Sequence, residues 1–295
     1  MAQHYPVLLE EVEQHLAIDP GGVYVDCTLG AAGYAERILS RLDTGRLIAI
    51  DRDETAIEAA RAKLAGFGAK VTFYHGGFSE IDRAIGPQTE LAGVVADLGW
   101  SRTQVEDGER GFSFSLEGPL DGRYDRRQPL TTGQIVNHYP EKQLADLLFE
   151  LGGERRSRRI ARAIVRGRPV RSTKHLAELI EGAVPRAHWQ RIHPATQSFQ
   201  ALRIAVNDEL GELDALLAKA PALLAAGGRM VVVTFHSLED RRVKQSFRDW
   251  ASTGEYEVLT RRVVRASDKE LHENPASRSA KLRALERKAE WARRN

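Results

Sequence analysis

The chain has 295 residues and a mass of 32.8 kDa, enough for about two domains that each bury a hydrophobic core. Hydrophobic residues make up 42% and charged residues 28%, and no apolar run approaches the roughly 18 residues of a membrane span. Glu10, Glu11 and Glu13 stand where a signal peptide would need a basic and then an apolar run. The single cysteine, Cys27, excludes an internal disulfide and a cysteine-based zinc cluster. We therefore expect a cytoplasmic protein with no membrane partner and no metal site.

Positive charge is concentrated in two segments, although the net charge of the chain is only +2. Residues 155–171 include eight arginines and no acidic residue, and residues 261–295 include eleven Lys or Arg against five Asp or Glu. One such run alone is equally well explained as the solvated face of a helix. Two focused positive segments together favour a polyanionic partner, and we expect that partner to be a nucleic acid.

Short β-rich runs alternate with amphipathic helical segments in the first third of the chain. The pattern predicts strands at 23–27, 46–50, 71–75 and 93–97, with a helix after each of the first three. Nearly continuous apolar strands separated by helices indicate a parallel sheet that is covered on both faces. With right-handed crossovers, this arrangement is a Rossmann-like, doubly wound α/β sheet.

The alternation stops after Asp97. Residues 101–140 are rich in Gly and Pro, and residues 141–190 show helical patterns and no strand pattern. A long helix and three further strands are predicted at about 195–220, 230–235, 256–264 and 279–287. We therefore predict a sheet domain formed by 1–105 and 195–295, interrupted by an inserted, mainly helical domain at 106–194 that recognises the substrate.

The turn after the first predicted strand has features of a cofactor-binding loop. Gly30 and Gly33 give a G-x-x-G spacing, which lacks one glycine of the dinucleotide fingerprint and is a weak signal alone. Asp51 ends the second strand about 20 residues later, where an acid binds ribose hydroxyls. Asp26 would repel a pyrophosphate but would offset the cationic groups of S-adenosylmethionine, so it favours a methyl donor over NAD. The alternative is that Asp26 only caps the turn.

Longer motifs then identify a family resemblance. They are HYPVLLEEV (4–12), VDCTLGAAGY (25–34), VADLGWSRTQV (95–105), GGERRSRRIARAI (152–164), HPATQSFQALRIAVNDEL (193–210), FHSLEDRRVK (235–244) and NPASRSAKLRALER (274–287). In this order and over nearly the whole chain, they resemble the small-subunit (16S) ribosomal RNA cytosine-N4 methyltransferase family. The resemblance implies a Rossmann-like, S-adenosylmethionine-dependent enzyme that methylates the N4 amine of a cytosine in the decoding region. Its implied partner is 16S ribosomal RNA within the small ribosomal subunit, and a homodimer is left open.

The family's donor-binding positions fall on residues in four segments of this chain, namely Ala32, Gly33, Tyr34, Asp51, Phe78, Asp97 and Gln104. The loop departs from the family's usual Gly-Gly-His at Ala32 and Tyr34. The added methyl of Ala32 is tolerable if its φ is negative, and Tyr34 lacks the imidazole that proton transfer would use. Phe78 is either a wall for adenine or a core residue.

Asp97 is the candidate catalytic residue, because it ends the fourth predicted strand, where a doubly wound sheet opens its crevice. It has three candidate roles: to bind the donor, to accept a proton or to orient the amine, and we favour the first. No Asp/Asn-Pro-Pro-aromatic tetrad follows this strand, so no motif identifies the group that holds the amine.

Aromatic and polar residues elsewhere have both functional and structural interpretations. Trp100, Phe112 and Phe114 are suited to stack against an unpaired base, and the alternative for Phe112 and Phe114 is that they anchor their loop to the core. Asp121, Arg123 and Asp125 either face the substrate or pair with one another. Ser237 and Asp240 form an S-x-x-D signature typical of a helix start.

A polar stripe on the predicted helix after residue 194 suggests contact with substrate or donor; it comprises Thr196, Gln200, Arg203 and Asn207. The candidate RNA-binding residues combine one member of this stripe with the first arginine run, and they are Arg155, Arg158, Arg159, Arg162 and Arg203. Two other functions remain as alternatives to the methyltransferase. One is a nicotinamide oxidoreductase, and the other is an RNA-binding assembly factor with a vestigial donor site.

Overall fold

The chain folds into two units, of which the first combines both ends of the chain. A computed structural model describes residues 6–185 and 193–289; His4, Tyr5 and the last residues of the basic segment 261–295 lie outside this range. One unit comprises Met1–Gly99 with Leu210–Asn295, and the other comprises Trp100–Glu209. No helix among the described residues is both long and apolar enough to cross a membrane.

A seven-stranded sheet is the centre of the first unit. Its strands are β1 (Val23–Asp26), β2 (Arg46–Asp51), β3 (Val71–His75), β4 (Leu91–Asp97), β5 (Leu224–Thr234), β6 (Tyr256–Val258) and β7 (Lys281–Arg287), in the order β3-β2-β1-β4-β5-β7-β6. Strands β1 to β5 are parallel, and β7 runs antiparallel to both β5 and β6. The predicted Rossmann-like sheet is confirmed.

Helices connect the strands and fill the second unit. In chain order they are α1 (Leu9–Leu16), α2 (Gly33–Leu39), α3 (Glu54–Lys63), α4 (Ile81–Ile85), α5 (Arg102–Glu106), α6 (Thr132–His138), α7 (Glu141–Gly152), α8 (Ser157–Arg166), α9 (Thr173–Ala183), α10 (Thr196–Asn207), α11 (Glu209–Lys219), α12 (Ser237–Ser252) and α13 (Asp268–Glu273). Alternate residues of the sheet enter two hydrophobic cores, with Val95 in one and Val94 in the other. Both faces of the sheet are therefore covered, as the apolar strand pattern predicted.

The predicted strand at 256–264 is wrong in its length, since regular pairing in β6 ends at Val258. The Ala284 amide donates to the Thr260 hydroxyl at 3.0 Å, so a side chain takes the place of a backbone partner there. Only a single bridge, from Val264 to Leu282, follows it.

The predicted long helix at 195–220 is in fact two helices, α10 and α11. Asp208 lies between them in the left-handed region with a φ of 47°, which stops the helical hydrogen-bond series. Phe199 and Leu202 of α10 pack in the core of the second unit, whereas Leu213 of α11 packs in a core of the sheet. The boundaries of the two units therefore fall at 99/100 and 209/210. Helix α10 belongs to the helical unit, whereas the sequence predicts it to be part of the sheet domain.

Candidate functional site

Three neighbouring parallel strands end in aspartates. Asp26 ends β1, Asp51 ends β2 and Asp97 ends β4, and these strands are adjacent in the order β2-β1-β4. The chain direction of the crossovers reverses between β1 and β4. In doubly wound sheets, this reversal opens a ligand crevice at the carboxyl ends of the strands. We call these three residues the acidic cluster.

Asp26 is fully buried and only half satisfied. Its Oδ1 accepts a hydrogen bond from the Thr28 amide at 3.1 Å, while its Oδ2 has no hydrogen-bond partner among the described residues. Burial, reinforced by the nearby charge of Asp51, raises the pKa of Asp26 to about 7. A buried carboxylate with a vacant acceptor oxygen is suited to a cationic or hydrogen-bond-donating ligand.

Asp97 is in a similar state. Its amide donates to the Thr28 hydroxyl at 2.7 Å, and its buried Oδ1 has no hydrogen-bond partner among the described residues. Burial raises the pKa of Asp97 well above its usual range, and the charges of Asp26 and Glu239 raise it further, although the neighbouring Tyr34 hydroxyl lowers it in part. Like charges cannot all ionise side by side at low cost, so a cation in this crevice stabilises the ionised form of the cluster.

Asp51 differs, because both of its oxygens accept backbone hydrogen bonds. The Gly30 amide donates to Oδ2 at 2.8 Å and the Asp53 amide to Oδ1 at 2.9 Å. Burial raises the pKa of Asp51, and these two donors lower it in part. Gly30 has a φ of 47°, a conformation that favours glycine. The loop and Asp51 thus hold each other in place, and each carboxylate oxygen keeps a second lone pair for a ligand hydroxyl.

The loop departs from the family pattern at two positions with different consequences. Ala32 is fully buried with a φ of +59°, so the negative φ that would make its methyl tolerable is absent. An L-residue in this region costs about 1–2 kcal/mol, which makes Ala32 a strained substitution at the start of α2. The neighbouring Gly33 has no room for a side chain, since a Cβ there would overlap Pro6.

Tyr34 is buried, and its hydroxyl donates to the Val7 carbonyl and lies beside Asp97. Burial and the negative charge of Asp97 raise the pKa of Tyr34 well above its usual value of 10. Tyr34 is therefore a neutral phenol at physiological pH that ties the amino-terminal segment to the end of β4.

Phe78 and Gln104, the two remaining predicted donor contacts, both have structural contacts as well. Phe78 follows β3 in a short 3₁₀ helix, Phe78–Glu80, and is partly buried against one core of the sheet. Gln104 lies in the second unit, where its side-chain oxygen accepts from the Ser101 amide at 2.9 Å in a capping box for α5. The predicted roles of both residues in donor binding remain predictions.

The helix start after β5 differs from the predicted S-x-x-D signature. The cap of α12 is His236, one residue before Ser237, and Glu239 accepts from the amides of Phe235 and His236 at 2.9 and 3.2 Å. Asp240 pairs instead with Arg283 at 2.7 Å. Glu239 therefore lies buried near Asp97, a position that the sequence did not predict. The signal that could have indicated it is an acidic residue three positions after His236, the residue that caps the helix.

The arginines of the first basic run lie on the surface of the second unit. Arg155, Arg158, Arg159 and Arg162 are exposed, while Ile160 and other apolar residues of α8 fill the core. Of these arginines, Arg162 approaches Glu141 at 3.4 Å in a pair that remains largely exposed to solvent. α8 therefore presents a row of cations on its outer face.

Arg203 does not belong to this exposed row. Its side chain is 11% exposed and makes a two-pronged ion pair with Glu209 at 2.7 and 2.9 Å. Asn207, one turn later, donates to the Gly122 carbonyl and accepts from the Tyr124 amide. Asn207 thus holds the loop after Leu120, while the burial of Arg203 and its pairing with Glu209 oppose the predicted RNA contact of Arg203.

The aromatic residues of this unit separate into anchors and an exposed ring. Phe112 stacks on Tyr124 with ring centres 5.3 Å apart, and Phe114 stacks on His193 at 4.4 Å. Phe114 also packs against the core of this unit, which confirms the anchoring interpretation for that residue, whereas Phe112 contacts the loop residue Tyr124. Trp100 is 48% exposed. The pairing predicted among the loop residues is confirmed for Asp121 and Arg123, whose charged atoms lie 2.7 Å apart. Asp125 pairs instead with Arg127, also at 2.7 Å.

Comparison with known proteins decides the family. The model of the MraW methylase family matches residues 1–288. The chain belongs to the MraW methylase family. It is 50% identical over 285 residues to "Ribosomal RNA small subunit methyltransferase H" of Solibacter usitatus, covering 96% of this chain and 99% of that protein. It is also 50% identical over 294 residues to the protein of the same name from Acidobacterium capsulatum, covering 97% and 99%. Among solved structures, a putative rRNA-methylase from Clostridium thermocellum has a TM-score of 0.47 at 13% identity, covering 95% of this chain and 94% of that one.

As a MraW methylase, the protein is an S-adenosylmethionine-dependent methyltransferase. This cofactor supplies an electrophilic methyl group on a positively charged sulfur. The vacant, buried oxygens of Asp26 and Asp97 fit the cationic end of such a molecule, and Asp51 beside the glycine loop fits its ribose hydroxyls. The residues present therefore suit the cofactor that the family uses.

Proposed function

We propose that this MraW methylase transfers a methyl group to the exocyclic N4 amine of a cytosine in the decoding region of 16S ribosomal RNA, within the small subunit. The observation that carries the proposal is 50% identity over nearly the full length of relatives named small-subunit ribosomal RNA methyltransferases. The acidic cluster at the carboxyl ends of β1, β2 and β4 supports the proposal, because its negative charge is complementary to the positive charge of the methyl donor.

Each donor-binding residue has a distinct part in this proposal. Asp51 binds the ribose hydroxyls, and Phe78 forms the wall beside adenine. Asp97 and Asp26 face the cationic end of the donor. The Ala32–Tyr34 loop and Gln104 complete the contacts that the family resemblance implies.

The acceptor amine sets the chemical requirement. The lone pair of cytosine N4 is delocalised into the ring, so the amine is a weak nucleophile that must be held in line with the methyl group, roughly 3–3.5 Å away. Asp97 contributes mainly by fixing the donor, because the extra proton on nitrogen becomes acidic only as the methyl group is transferred. Water or a carbonyl oxygen then accepts that proton.

The helical unit binds the RNA in this proposal. Arg158, Arg159 and Arg162 on α8, and Arg155 just before it, are exposed to solvent, where the phosphate groups of a strand can reach several of them together. A base that is read by a methyltransferase has to leave its stack, and Trp100 offers an exposed ring for it.

Nucleoside analysis tests the proposal directly. The protein is incubated with methyl-labelled S-adenosylmethionine and either naked 16S ribosomal RNA or assembled small subunits that lack the modification. The RNA is then digested and its nucleosides are separated by mass spectrometry. We expect label in N4-methylcytidine, with the small subunit as the better substrate.

An Asp51→Ala variant serves as the control, because it keeps the RNA-binding unit but removes a charge-assisted hydrogen bond to the donor. Its labelling at limiting donor should fall by about 10- to 100-fold. Label in another nucleoside, such as 5-methylcytidine, would contradict the proposed acceptor, and absence of label from both the naked RNA and the small subunit would contradict the proposed substrate.

A further inference from the structure

Helix α11 holds the loop that follows β3. Glu212 accepts a hydrogen bond from the Ser79 amide at 3.1 Å and another from the Ser79 hydroxyl at 2.9 Å. Its carboxylate also lies flat against the backbone of Gly77, so closely that a Cβ at this position would overlap it. One side chain therefore holds Ser79 by two hydrogen bonds and packs against Gly77, and these are the two neighbours of Phe78 in the chain.

The same loop is tied at two further points. Lys219, at the end of α11, donates to the Ser79 carbonyl at 2.7 Å and to Asp82 at 3.0 Å, and its hydrogen bond lowers the pKa of Asp82. On the other side, the Gly76 amide donates to the Asp51 carbonyl at 3.0 Å. The loop thus connects α11 with the end of β2, where the proposed ribose ligand lies.

We propose that Glu212 is a positioning residue for the adenosine half of the methyl donor. It acts through the loop, by holding Gly77 and Ser79 so that Phe78 is in place before the donor arrives. This inference rests on the donor contact that we propose for Phe78. A loop that is ordered in advance loses little conformational entropy on binding, so the benefit appears as donor affinity.

The test compares three variants of the full chain. In Glu212→Ala the loop loses both hydrogen bonds, and we expect about tenfold weaker binding of S-adenosylhomocysteine by titration calorimetry. Adenosine, measured by displacement of labelled S-adenosylmethionine, should lose affinity by a similar factor. Glu212→Gln retains one carbonyl acceptor and should remain within about threefold of the unmodified protein.

Asp214→Ala provides the matched control on the same helix. Asp214 is exposed and pairs with Arg242 at 3.2 Å, away from the loop, so its loss should leave donor affinity unchanged. In methylation assays, Glu212→Ala should raise the KM for the donor in parallel with the binding loss. Its kcat at saturating donor should stay within about twofold, because a positioning defect is overcome by mass action.

Three results would overturn the inference. They are unchanged S-adenosylhomocysteine binding in Glu212→Ala, a loss confined to S-adenosylhomocysteine with normal adenosine binding, and an equal loss in Asp214→Ala. All measurements are made well below the melting temperature of each variant. The binding arms need no RNA, so absence of N4-methylcytidine with intact donor binding would contradict the proposed function and leave the Glu212 result standing.

Discussion

Asp26 is a buried acid whose vacant oxygen is costly to the free protein. A carboxylate that is removed from water without full hydrogen bonding destabilises the fold when it is ionised. A bound cation next to this oxygen, at the end of β1, would offset that cost while the protein is active. Stability and donor binding are then in conflict at this residue.

The first prediction follows from that conflict. The pKa of Asp26 is about 7 in the folded protein and 3.8 as the unperturbed reference, so between these values the folded state holds a proton that the unfolded state lacks. The stability contribution of Asp26 therefore falls as pH rises from about 4 to 7. Asp26→Asn should raise the free energy of unfolding at pH 8 by about 1–3 kcal/mol and leave it nearly unchanged at pH 4. Thermal melts at the two pH values, with donor calorimetry showing weaker binding, test this; a variant that is less stable at pH 8 would contradict it.

Asp97 could either position the donor or accept the proton, and the second prediction distinguishes these two roles. Asp97→Asn keeps the shape of the side chain but removes its charge. If Asp97 positions the donor, donor affinity falls and saturating donor restores most of the turnover, which is the result we expect. Single-turnover methylation at saturating donor is the measurement. A rate that stays 10²- to 10⁴-fold low with normal donor affinity would show a proton acceptor instead.

The positions of the three aspartates at one edge of the sheet could be predicted from the sequence, but the residues that surround them could not. Each aspartate ends an apolar run, and the carboxyl ends of adjacent parallel strands must meet. By contrast, the sequence does not show that Tyr34 bonds to Val7 or that Ala32 has a positive φ, because both depend on how the amino-terminal segment packs. Glu239 reaches the site only through the tertiary placement of α12.

Helices α10 and α11 show how a continuous hydrophobic pattern can misplace a boundary. Phe199, Leu202 and Leu213 share one helical periodicity, which is typical of the single long helix predicted at about 195–220. The pattern records that a face is buried and not which core buries it, and the turn at Asp208 sends the two halves to different cores. The first four strands were predicted to within about two residues, because each is a short apolar run bounded by turn residues. The fifth strand begins at Leu224, six residues before the predicted start, and regular pairing in β6 ends early, where the Thr260 hydroxyl accepts from the Ala284 amide.

The exposed row on α8 yields the third prediction. Replacing Arg158, Arg159 and Arg162 with Ala removes three exposed cations from one helix face. The slope of log binding constant against log salt concentration for 16S RNA should become flatter by about 2–3 units. Each phosphate contact releases about one counterion when the RNA binds, so the variant should release about two to three fewer counterions. Donor affinity should not change.

A matched variant controls for net charge alone. Arg241, Lys244 and Arg248 form a comparable exposed row on α12, and their replacement by Ala removes the same charge. We expect a slope change below about one unit for that variant. Equal slopes in the two variants would show that the α8 row acts only through the overall charge of the protein.

At the scale of the whole molecule, the protonation of the acidic cluster is linked both to the stability of the sheet unit and to binding of the cofactor. Asp26, Asp51, Asp97, Glu239, Tyr34 and the buried thiol of Cys27 are among the titratable groups around the site, and burial raises the pKa of each of the three aspartates. The same ionisation that lowers the stability of the free protein prepares the site for a cation. Donor and proton therefore compete for the folded state.

The last prediction is that stabilisation by the donor grows with pH. At a fixed, saturating concentration of S-adenosylmethionine, the rise in melting temperature over the free protein should increase between pH 5.5 and 7.5. Within this window Asp26, with its pKa of about 7, loses its proton. Titrations in two buffers of different ionisation enthalpy should show proton release on binding near pH 6 and little release at pH 8.5. In Asp26→Asn both the pH trend and the proton release should shrink, because one of the competing groups is gone. A donor-induced shift that is constant across this range would mean that the acidic cluster is already ionised in the free protein, and that the donor binds without displacing a proton.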